Sequence, residues 1–357
     1  MLSLFEEILW YITIPLVALF AHPRYTYEFS TPKYALLTVA ALLVGIYLFF
    51  KLTKEKTFKF FATPVHWAWF TFSIVALLST INTYRTNPFY FRQAIDIGIY
   101  LFLNVLISFY ISTKIGKKDQ IVRFLFVFVL TGLVISINAI LNFYMGIDIF
   151  LGKIGTPFDR NSIKANIGNV IFVANYLNMI FPIALYFVIS FDTGIVDSKR
   201  FLNILFFKIT SLVTALLSFT VVIFSQTRSE YLALIIEGLI FAFFYLVFLT
   251  KKEDRVAKEL KEKSPKFYKK LSIFRTVSVY VIVSLLILIF VSYTIPTPLN
   301  NYGAIGTTER FQAEDFVESK DVRILSWLSN LYIWKNHKIL GQGIGTYQVY
   351  GLYGISD

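Results

Sequence analysis

Nine long stretches of apolar residues follow one another along the chain, separated by shorter polar segments. A helix needs roughly 17–25 apolar residues to cross the hydrocarbon core of a bilayer, and each stretch is long enough. A strand of a membrane barrel would instead show about ten residues of alternating polarity. The pattern therefore predicts an all-α fold, a polytopic transmembrane helix bundle with spans at about 4–20, 34–50, 65–81, 95–112, 122–142, 170–190, 207–225, 231–249 and 276–295.

The composition agrees with this prediction. Hydrophobic residues make up 56% of the 357 residues, charged residues only 16%, and the mean hydropathy is +0.64. Soluble domains average roughly 45–50% apolar and about 25% charged residues, so a water-soluble globule is excluded. The N-terminal MLSLFEE carries no Lys or Arg, which favours a retained first span over a cleaved signal peptide. The chain has no cysteine, which excludes disulfides and Cys-ligated metal sites.

The 34 Lys and Arg residues are divided unevenly between the two sides of the predicted bundle. With the N-terminus in the cytoplasm, 21 lie in or beside the inner loops and 13 on the outer side, as the positive-inside rule requires. We therefore predict a multi-pass protein of the cytoplasmic (inner) membrane, with the bundle over 1–295 and an extracytoplasmic loop over 296–357. The most basic segment, 251–270, is typical of a solvated cytoplasmic linker beside anionic lipid, with a nucleic-acid or regulatory-partner site as the alternative.

A charged turn, FSQTRSE, lies between two apolar stretches on the predicted outer side. Its Arg228 has five polar or charged neighbours and a guanidinium that suits phosphate oxygens in a bidentate geometry. The alternative is an arginine that reaches lipid phosphate from a helix end. Because the turn is richer in polar residues than a short connection requires, we predict that Arg228 binds a lipid-linked phosphate. Arg160 and Lys164, in the outer segment 143–169, are secondary candidates.

Near the C-terminal end of the sequence, five side chains recur at helical spacing and so share one face. They are Arg323, Trp327, Asn330, Trp334 and His337. A neighbouring face carries Ile324, Leu328 and Leu331, which we expect to pack on the bundle. The face suits an anionic, sugar-bearing ligand, while the alternative is an interfacial helix with Trp residues in the aromatic belt.

The segment GQGIGTY follows this helix and resembles a nucleotide-binding fingerprint only superficially. Thr346 replaces the third glycine and no strand precedes the segment, so we predict a helix stop instead.

The chain has three His residues and no clustered outer carboxylates, which predicts no metal site and no cofactor. Asp96 and Glu237 are the main ionisable residues within spans, so an ion-coupled transporter is only weakly indicated.

Three segments together resemble the O-antigen ligase and O-antigen polymerase family of integral membrane enzymes. The segment 164–185 is similar to the family's GNPN-x-x-A-x-YL-x-x-x-x-P element, with Val170 and Ile171 in place of Pro-Asn; it matches at Gly168, Asn169, Ala174, Tyr176, Leu177 and Pro182. FSQTRSEYLALI resembles the family's SR(G/S) element at Arg228. The segment 322–347 resembles its R-x-x-x-W…hPllGxGxGtf element at Arg323, Trp327, Leu340, Gly341, Gly343 and Gly345, with Lys338 where Pro is common.

The resemblance implies a GT-C-like fold and metal-independent transfer of a glycan from an undecaprenyl-diphosphate carrier. Family members place arginines on the diphosphate and use a loop histidine, in an H-N/S/Q pattern, to activate the acceptor hydroxyl. No such pair occurs here, so we expect the sequence to be the N-terminal portion of a longer enzyme, the alternative being a truncated and catalytically incomplete relative. His337 is the fallback base.

The resemblance therefore implies a glycosyltransferase of polysaccharide or lipopolysaccharide biosynthesis. Its donor would be the undecaprenyl-diphosphate-linked glycan, and its acceptor a hydroxyl of lipid A core, another glycan or a protein. The predicted substrate-binding residues are Arg228, Arg323, Arg160, Lys164, Asn169 and Trp327. The alternatives are a transporter or flippase of a lipid-linked or anionic substrate, and a non-catalytic assembly partner.

Overall fold

Helices account for most of the structure, a computed structural model that describes residues 11–13, 15–22, 31–54, 61–191, 201–294, 313–338, 340–341 and 343–344. Residues 11–13 and 15–19 are helical, and the rest of the first predicted span lies outside the described residues. The further α-helices of the described ranges are, in chain order, α1 (Thr31–Lys54), α2 (Pro64–Thr86), α3 (Phe91–Lys114), α4 (Lys118–Met145), α5 (Val170–Ile189), α6 (Phe201–Phe224), α7 (Arg228–Phe244), α8 (Thr250–Lys263), α9 (Pro265–Thr294) and α10 (Ala313–Asn336).

Six helical segments within the described part of the chain are long and apolar enough to cross a membrane. They are Pro64–Thr86, Pro88–Lys114, Lys118–Met145, Val170–Ile189, Ile204–Phe224 and Ser229–Val247. They coincide with six of the nine predicted spans, which supports the prediction of a helical membrane protein. A single short hairpin, β1 (Ile147–Asp148) paired antiparallel with β2 (Gly152–Lys153), is the one sheet among the described residues.

Local sequence signals set the ends of these helices. The Asn169 side chain caps α5 by accepting a hydrogen bond from the Ile171 amide at 2.9 Å. Gly146 ends α4 in the left-handed conformation, with φ of 64°. A Cβ at that position would collide with the Gly155 carbonyl oxygen, so both the backbone angle and the close approach require glycine.

The chain divides into two units, each with its own packing. The first unit comprises residues 1–33 and 117–309. Its core lies among α4, α5, α6 and α7, where buried apolar side chains alternate with small polar ones. Ser136 and Ser218 are buried with their hydroxyls 3.3 Å apart, which joins α4 to α6. Close approach of α4 and α5 depends on Gly132, because a Cβ there would lie 2.7 Å from Ile180.

The second unit comprises residues 34–116 and 310–357. In it α2 and α3 pack closely, with Gly98 facing Leu77, and the aromatic rings of Trp67 and Phe109 meet edge to face at 5.6 Å. The predicted division at residues 295 and 296 remains a prediction, because residues 295–312 lie outside the described part of the chain.

Candidate functional site

The loop between α4 and α5, residues 146–169, folds as an ordered cap at one end of the first unit. It contains the β1–β2 hairpin and a short 3-10 turn, Arg160–Ser162. Three of its non-glycine residues have positive φ: Phe158 at 60°, Ala165 at 37° and Asn166 at 65°. Such backbone angles are costly for residues other than glycine, and they persist only where surrounding contacts hold them.

For Ala165 and Asn166 those contacts come from two buried asparagines of α4. Asn138 Nδ2 donates to Asp148 Oδ2 at 2.8 Å and also to the Asn166 side-chain oxygen. Asn142 Oδ1 accepts hydrogen bonds from the amides of Lys164, at 3.0 Å, and Ala165, at 2.7 Å. All four polar side chains of this network are almost fully buried. The hydrogen bonds therefore hold both ends of the loop against α4.

A lysine at the start of α1 adds a third attachment. Lys33 Nζ donates to the Ala18 carbonyl at 2.8 Å and to the Asn166 carbonyl, while Asn166 Nδ2 donates to the Leu19 carbonyl at 2.9 Å. The N-terminal segment of the first unit is thus bound to the same loop. Lys33 was not singled out by the sequence, since a lone lysine beside an apolar stretch is typical of many membrane proteins.

The turn that carries Arg228 is also ordered by its own side chains. Ser225 and Thr227 are buried, and the Thr227 amide donates to Ser225 Oγ at 3.3 Å. Gln226 adopts a left-handed conformation, with φ of 50°, and Thr227 is the N-cap of α7. Arg228 is the first residue of α7, and its side chain lies outside the described part of the structure.

Two residues later, Glu230 anchors this turn to α5. The buried Asn178 donates through Nδ2 to the Glu230 carbonyl at 3.0 Å and to Glu230 Oε2 at 2.7 Å. Glu230 is only 5% exposed, so its carboxylate is held away from solvent by this amide. Sequence reasoning missed the pair. Two features of the sequence could have indicated it: Asn178 lies within an apolar span, and the acidic Glu230 lies in the first turn of α7.

Aromatic contacts join the 146–169 loop to the Arg228 turn. Phe143 stacks on Phe224 with ring centroids 4.6 Å apart, and Tyr144 meets the same ring edge to face at 5.6 Å. Phe158, within the loop, lies edge to face with Phe143 at 6.0 Å. Two of the three segments that carry the family resemblance, 164–185 and 224–235, therefore meet at one end of the first unit.

The secondary candidates have different surroundings at this end. Arg160 is partly buried, and its Nε is buried without a hydrogen-bond partner among the described residues. Lys164 is partly exposed, and Asn169, whose side-chain oxygen caps α5, is exposed. Arg160, Lys164, Asn169 and the helix start at Arg228 all belong to the first unit.

The other candidates belong to the second unit, on α10 and just after it. The Arg323 and His337 side chains are exposed, and Trp327 and Trp334 are 68% and 55% exposed. The expected packing of the neighbouring apolar face is wrong: that face is exposed as well, at Ile324, Leu328 and Leu331. The buried side of α10 is instead formed by Ser329, flanked by the partly buried Ser326 and Ile333.

The glycine-rich segment after α10 is a helix stop, as predicted. Gly341 has φ of 62° and its amide donates to the His337 carbonyl at 3.0 Å. The segment then lies against the last turns of α2, where Asn82 Nδ2 donates to the Gly341 carbonyl at 2.9 Å and Thr83 Oγ1 donates to the Ile344 carbonyl at 3.0 Å. Sequence reasoning did not identify this contact with α2.

Within the described ranges, no group of three or more His, Asp or Glu side chains is placed to hold a metal ion. His66 has a structural role, because its Nδ1 accepts the Thr63 amide at 3.2 Å and so completes a cap at the start of α2.

The chain matches no family model, no curated protein and no solved structure. Its class therefore rests on its own fold and sequence, which are those of a multi-pass α-helical membrane protein.

Proposed function

We propose that this protein is a glycosyltransferase of the O-antigen ligase and polymerase type. It would move a glycan from an undecaprenyl-diphosphate carrier to an acceptor hydroxyl on the outer face of the cytoplasmic membrane. The proposal includes nine spans, a GT-C-like arrangement and a cytoplasmic N-terminus. The acceptor class remains lipid A core, a growing polysaccharide or a protein.

One observation carries the proposal. Arg160 and Lys164 lie on a loop at the same end of the first unit as the start of α7, and buried hydrogen bonds hold the backbone at Lys164 and at Glu230. An amphiphilic diphosphate requires cations at the level where a span ends, because its phosphates stay at the interface while its tail stays in the bilayer. Arg and Lys residues on a restrained backbone beside a helix start have the chemistry for this ligand.

In the proposed reaction the acceptor oxygen forms a bond to the anomeric carbon. The bond between that carbon and the diphosphate oxygen breaks, and the diphosphate leaves with the electron pair. Its growing negative charge is stabilised by a guanidinium group, for which Arg228 is the candidate in the first unit and Arg323 a separate candidate in the second unit. The acceptor proton passes to a general base, for which His337 is the candidate in this chain. No metal takes part in this scheme.

A second function is favoured by a different observation. Glu237 lies within the span Ser229–Val247, and its Oε2 is buried without a hydrogen-bond partner among the described residues. Ionisable groups inside spans often mark transport pathways. A transporter or flippase of a lipid-linked or anionic substrate is therefore the alternative.

Product analysis in proteoliposomes separates the two functions. A transferase produces free undecaprenyl diphosphate and a new covalent glycoconjugate, whereas a transporter leaves its cargo unaltered. Arg228→Ala and Arg323→Ala should each reduce transfer at least about 100-fold, since removing one transition-state donor costs roughly 2.7–4 kcal/mol. Arg228→Lys should recover only part of the rate, because lysine keeps the charge but lacks the bidentate fork.

Arg255→Ala, an exposed arginine of α8, is the matched control and should retain full activity. Full transfer by both the Arg228→Ala and Arg323→Ala proteins would overturn the assignment of these residues. Unaltered donor in the presence of the wild-type protein and each acceptor class would overturn the proposed reaction.

A further inference from the structure

The exposed surface of α10 has two faces. One is the polar and aromatic face predicted from the sequence, which runs from Arg323 to His337, and the other is apolar. Ile324, Leu328, Leu331 and Lys335 recur at i, i+4, i+7 and i+11 and so form one face. Ile324, Leu328 and Leu331 are 38%, 56% and 53% exposed. Trp327 and Trp334 flank this face at i−4 and i+3 from Leu331, so the indoles and the aliphatic side chains form a continuous apolar surface.

The orientation of this surface follows from the opposite side of the helix. Ser329 is fully buried, and Ser326 and Ile333, at i−3 and i+4 from it, are partly buried. The apolar surface therefore points away from the protein. A contiguous apolar patch of this kind is rarely left in water, and it marks a site of protein or membrane contact.

The attachment of the helix places it beside the end of a membrane span. The Gly341 amide donates to the His337 carbonyl at the end of α10. The Gly341 carbonyl in turn accepts a hydrogen bond from the Asn82 side chain of α2. Thr83 binds the Ile344 carbonyl. Asn82 and Thr83 directly follow the apolar stretch 65–81, where the span reaches the polar boundary of the bilayer. The C-terminal end of α10 is thus held at the level of the lipid headgroups.

The charges in the C-terminal part of α10 are those expected of a helix at the level of the lipid headgroups. All four acidic residues of α10 precede Arg323, and residues 323–338, which carry the apolar face, contain Arg323, Lys335 and Lys338 but no Asp or Glu. Interfacial helices combine an apolar, Trp-bearing face with cations that reach phosphate groups, and indole rings prefer the headgroup region.

From these observations we propose that α10 is an interfacial helix whose exposed apolar face, with Leu328 and Leu331 at its centre, lies in the headgroup region of the bilayer. Arg323 then lies at the depth of lipid phosphates. The inference concerns membrane contact alone and does not depend on the proposed transferase activity.

Because the chain has no cysteine, single-cysteine variants can test this directly. Leu328→Cys and Leu331→Cys would each carry a nitroxide label in the full chain, reconstituted in nanodiscs of phosphatidylethanolamine and phosphatidylglycerol. Lys263→Cys is the matched water-facing control, because the Lys263 side chain on α8 is 78% exposed. The measurement is the collision rate of each label with oxygen, which concentrates in lipid, relative to a water-soluble nickel chelate.

We expect the ratio of oxygen to nickel collisions to be several-fold higher at both α10 positions than at Lys263→Cys. A ratio equal to that of Lys263→Cys would show that the face is in water and would overturn the proposal. Immobile labels with little access to either reagent would also overturn it, since the face would then be covered by a second copy or another protein.

Discussion

Asn178 and Glu230 show how single polar residues act inside this apolar protein. One amide group of α5 donates twice to one residue of α7, once to its backbone and once to its carboxylate. A buried carboxylate is costly unless it is hydrogen-bonded, and the helix N-terminus at Thr227 favours negative charge in its first turn. Glu230 therefore links two helices and fixes the backbone position of Arg228.

Replacing Asn178 with Ala should destabilise the first unit by about 2–3 kcal/mol, because Glu230 Oε2 loses its donor and the buried carboxylate keeps only the long bond from Ser229 Oγ to Oε1, at 3.5 Å. Glu230→Gln keeps an acceptor oxygen for Asn178 and should cost less. Thermal unfolding followed by fluorescence-detected size-exclusion chromatography would measure both. Asn104→Ala, an exposed amide that binds the Tyr100 carbonyl at 2.7 Å, is the control and should have little effect. Unchanged stability of Asn178→Ala would contradict the anchoring role.

Gly343 is a second residue whose identity is required by its surroundings. Its φ is 120°, and a Cβ there would lie 2.5 Å from the Thr83 amide nitrogen and would also collide with Thr83 Oγ1. The glycine-rich segment can reach α2 only because this position lacks a side chain.

Gly343→Ala should therefore detach the segment from α2 and lower the unfolding temperature of the protein. A backbone angle in this region alone costs on the order of 1–3 kcal/mol for a residue with a side chain. Gly341→Ala is the matched comparison, since Gly341 also has positive φ but a Cβ added there would meet no described atom within 4 Å. Trypsin cleavage at Lys335 and Lys338 should become faster in Gly343→Ala than in Gly341→Ala. Equal cleavage in the two variants would argue against the close approach.

At the scale of elements, the 146–169 loop is the clearest departure from a simple bundle. Short polar connections between spans are usually held by few contacts, but this loop is bound through Asn138, Asn142 and Lys33. The restraint matters for the proposed site because Arg160 and Lys164 lie on this loop. A rigid backbone reduces the entropy that their side chains and the loop would lose when an anionic ligand binds.

Asn142→Ala should loosen the loop without disturbing the spans. The Lys164 and Ala165 amides would lose their acceptor, and each buried unsatisfied group costs about 1–3 kcal/mol. Limited proteolysis at Lys153 and Arg160 should therefore become faster. Asn161→Ala, an exposed position of the same loop, should leave the cleavage rate unchanged. Equal protection of the wild-type and Asn142→Ala loops would show that this network does not hold the loop.

At the scale of the whole molecule, the chain is a multi-pass membrane protein whose α-helices form two separately packed units. The candidate residues are distributed between them: Arg160, Lys164, Asn169 and Arg228 belong to the first unit, and Arg323, Trp327 and His337 to the second. The orientation of the protein in the membrane determines whether each set of candidate residues faces the cytoplasm or the outer side. The uneven distribution of Lys and Arg predicts that the 146–169 loop faces outward and α8 inward.

Single cysteines test this orientation. In intact cells a membrane-impermeant maleimide should label Asn161→Cys, on the 146–169 loop, and should label Lys263→Cys, on α8, only after permeabilisation. Both side chains are exposed, so a difference in labelling reports sidedness and not burial. The opposite pattern would place the proposed site on the cytoplasmic face and would rule out an externally presented donor.

The sequence by itself determined the class of fold, the positions of six spans and the helix stop at Gly341. These properties follow from hydropathy and backbone preference, which act over neighbouring residues and can be read along the chain. Tertiary structure alone decided which polar residues meet: Asn178 with Glu230, Asn142 with the 164–165 amides, and Thr83 with the glycine-rich segment. It also decided that α10 buries serines and exposes leucines. Contacts between residues distant in sequence depend on how the helices pack, and local patterns do not encode that packing.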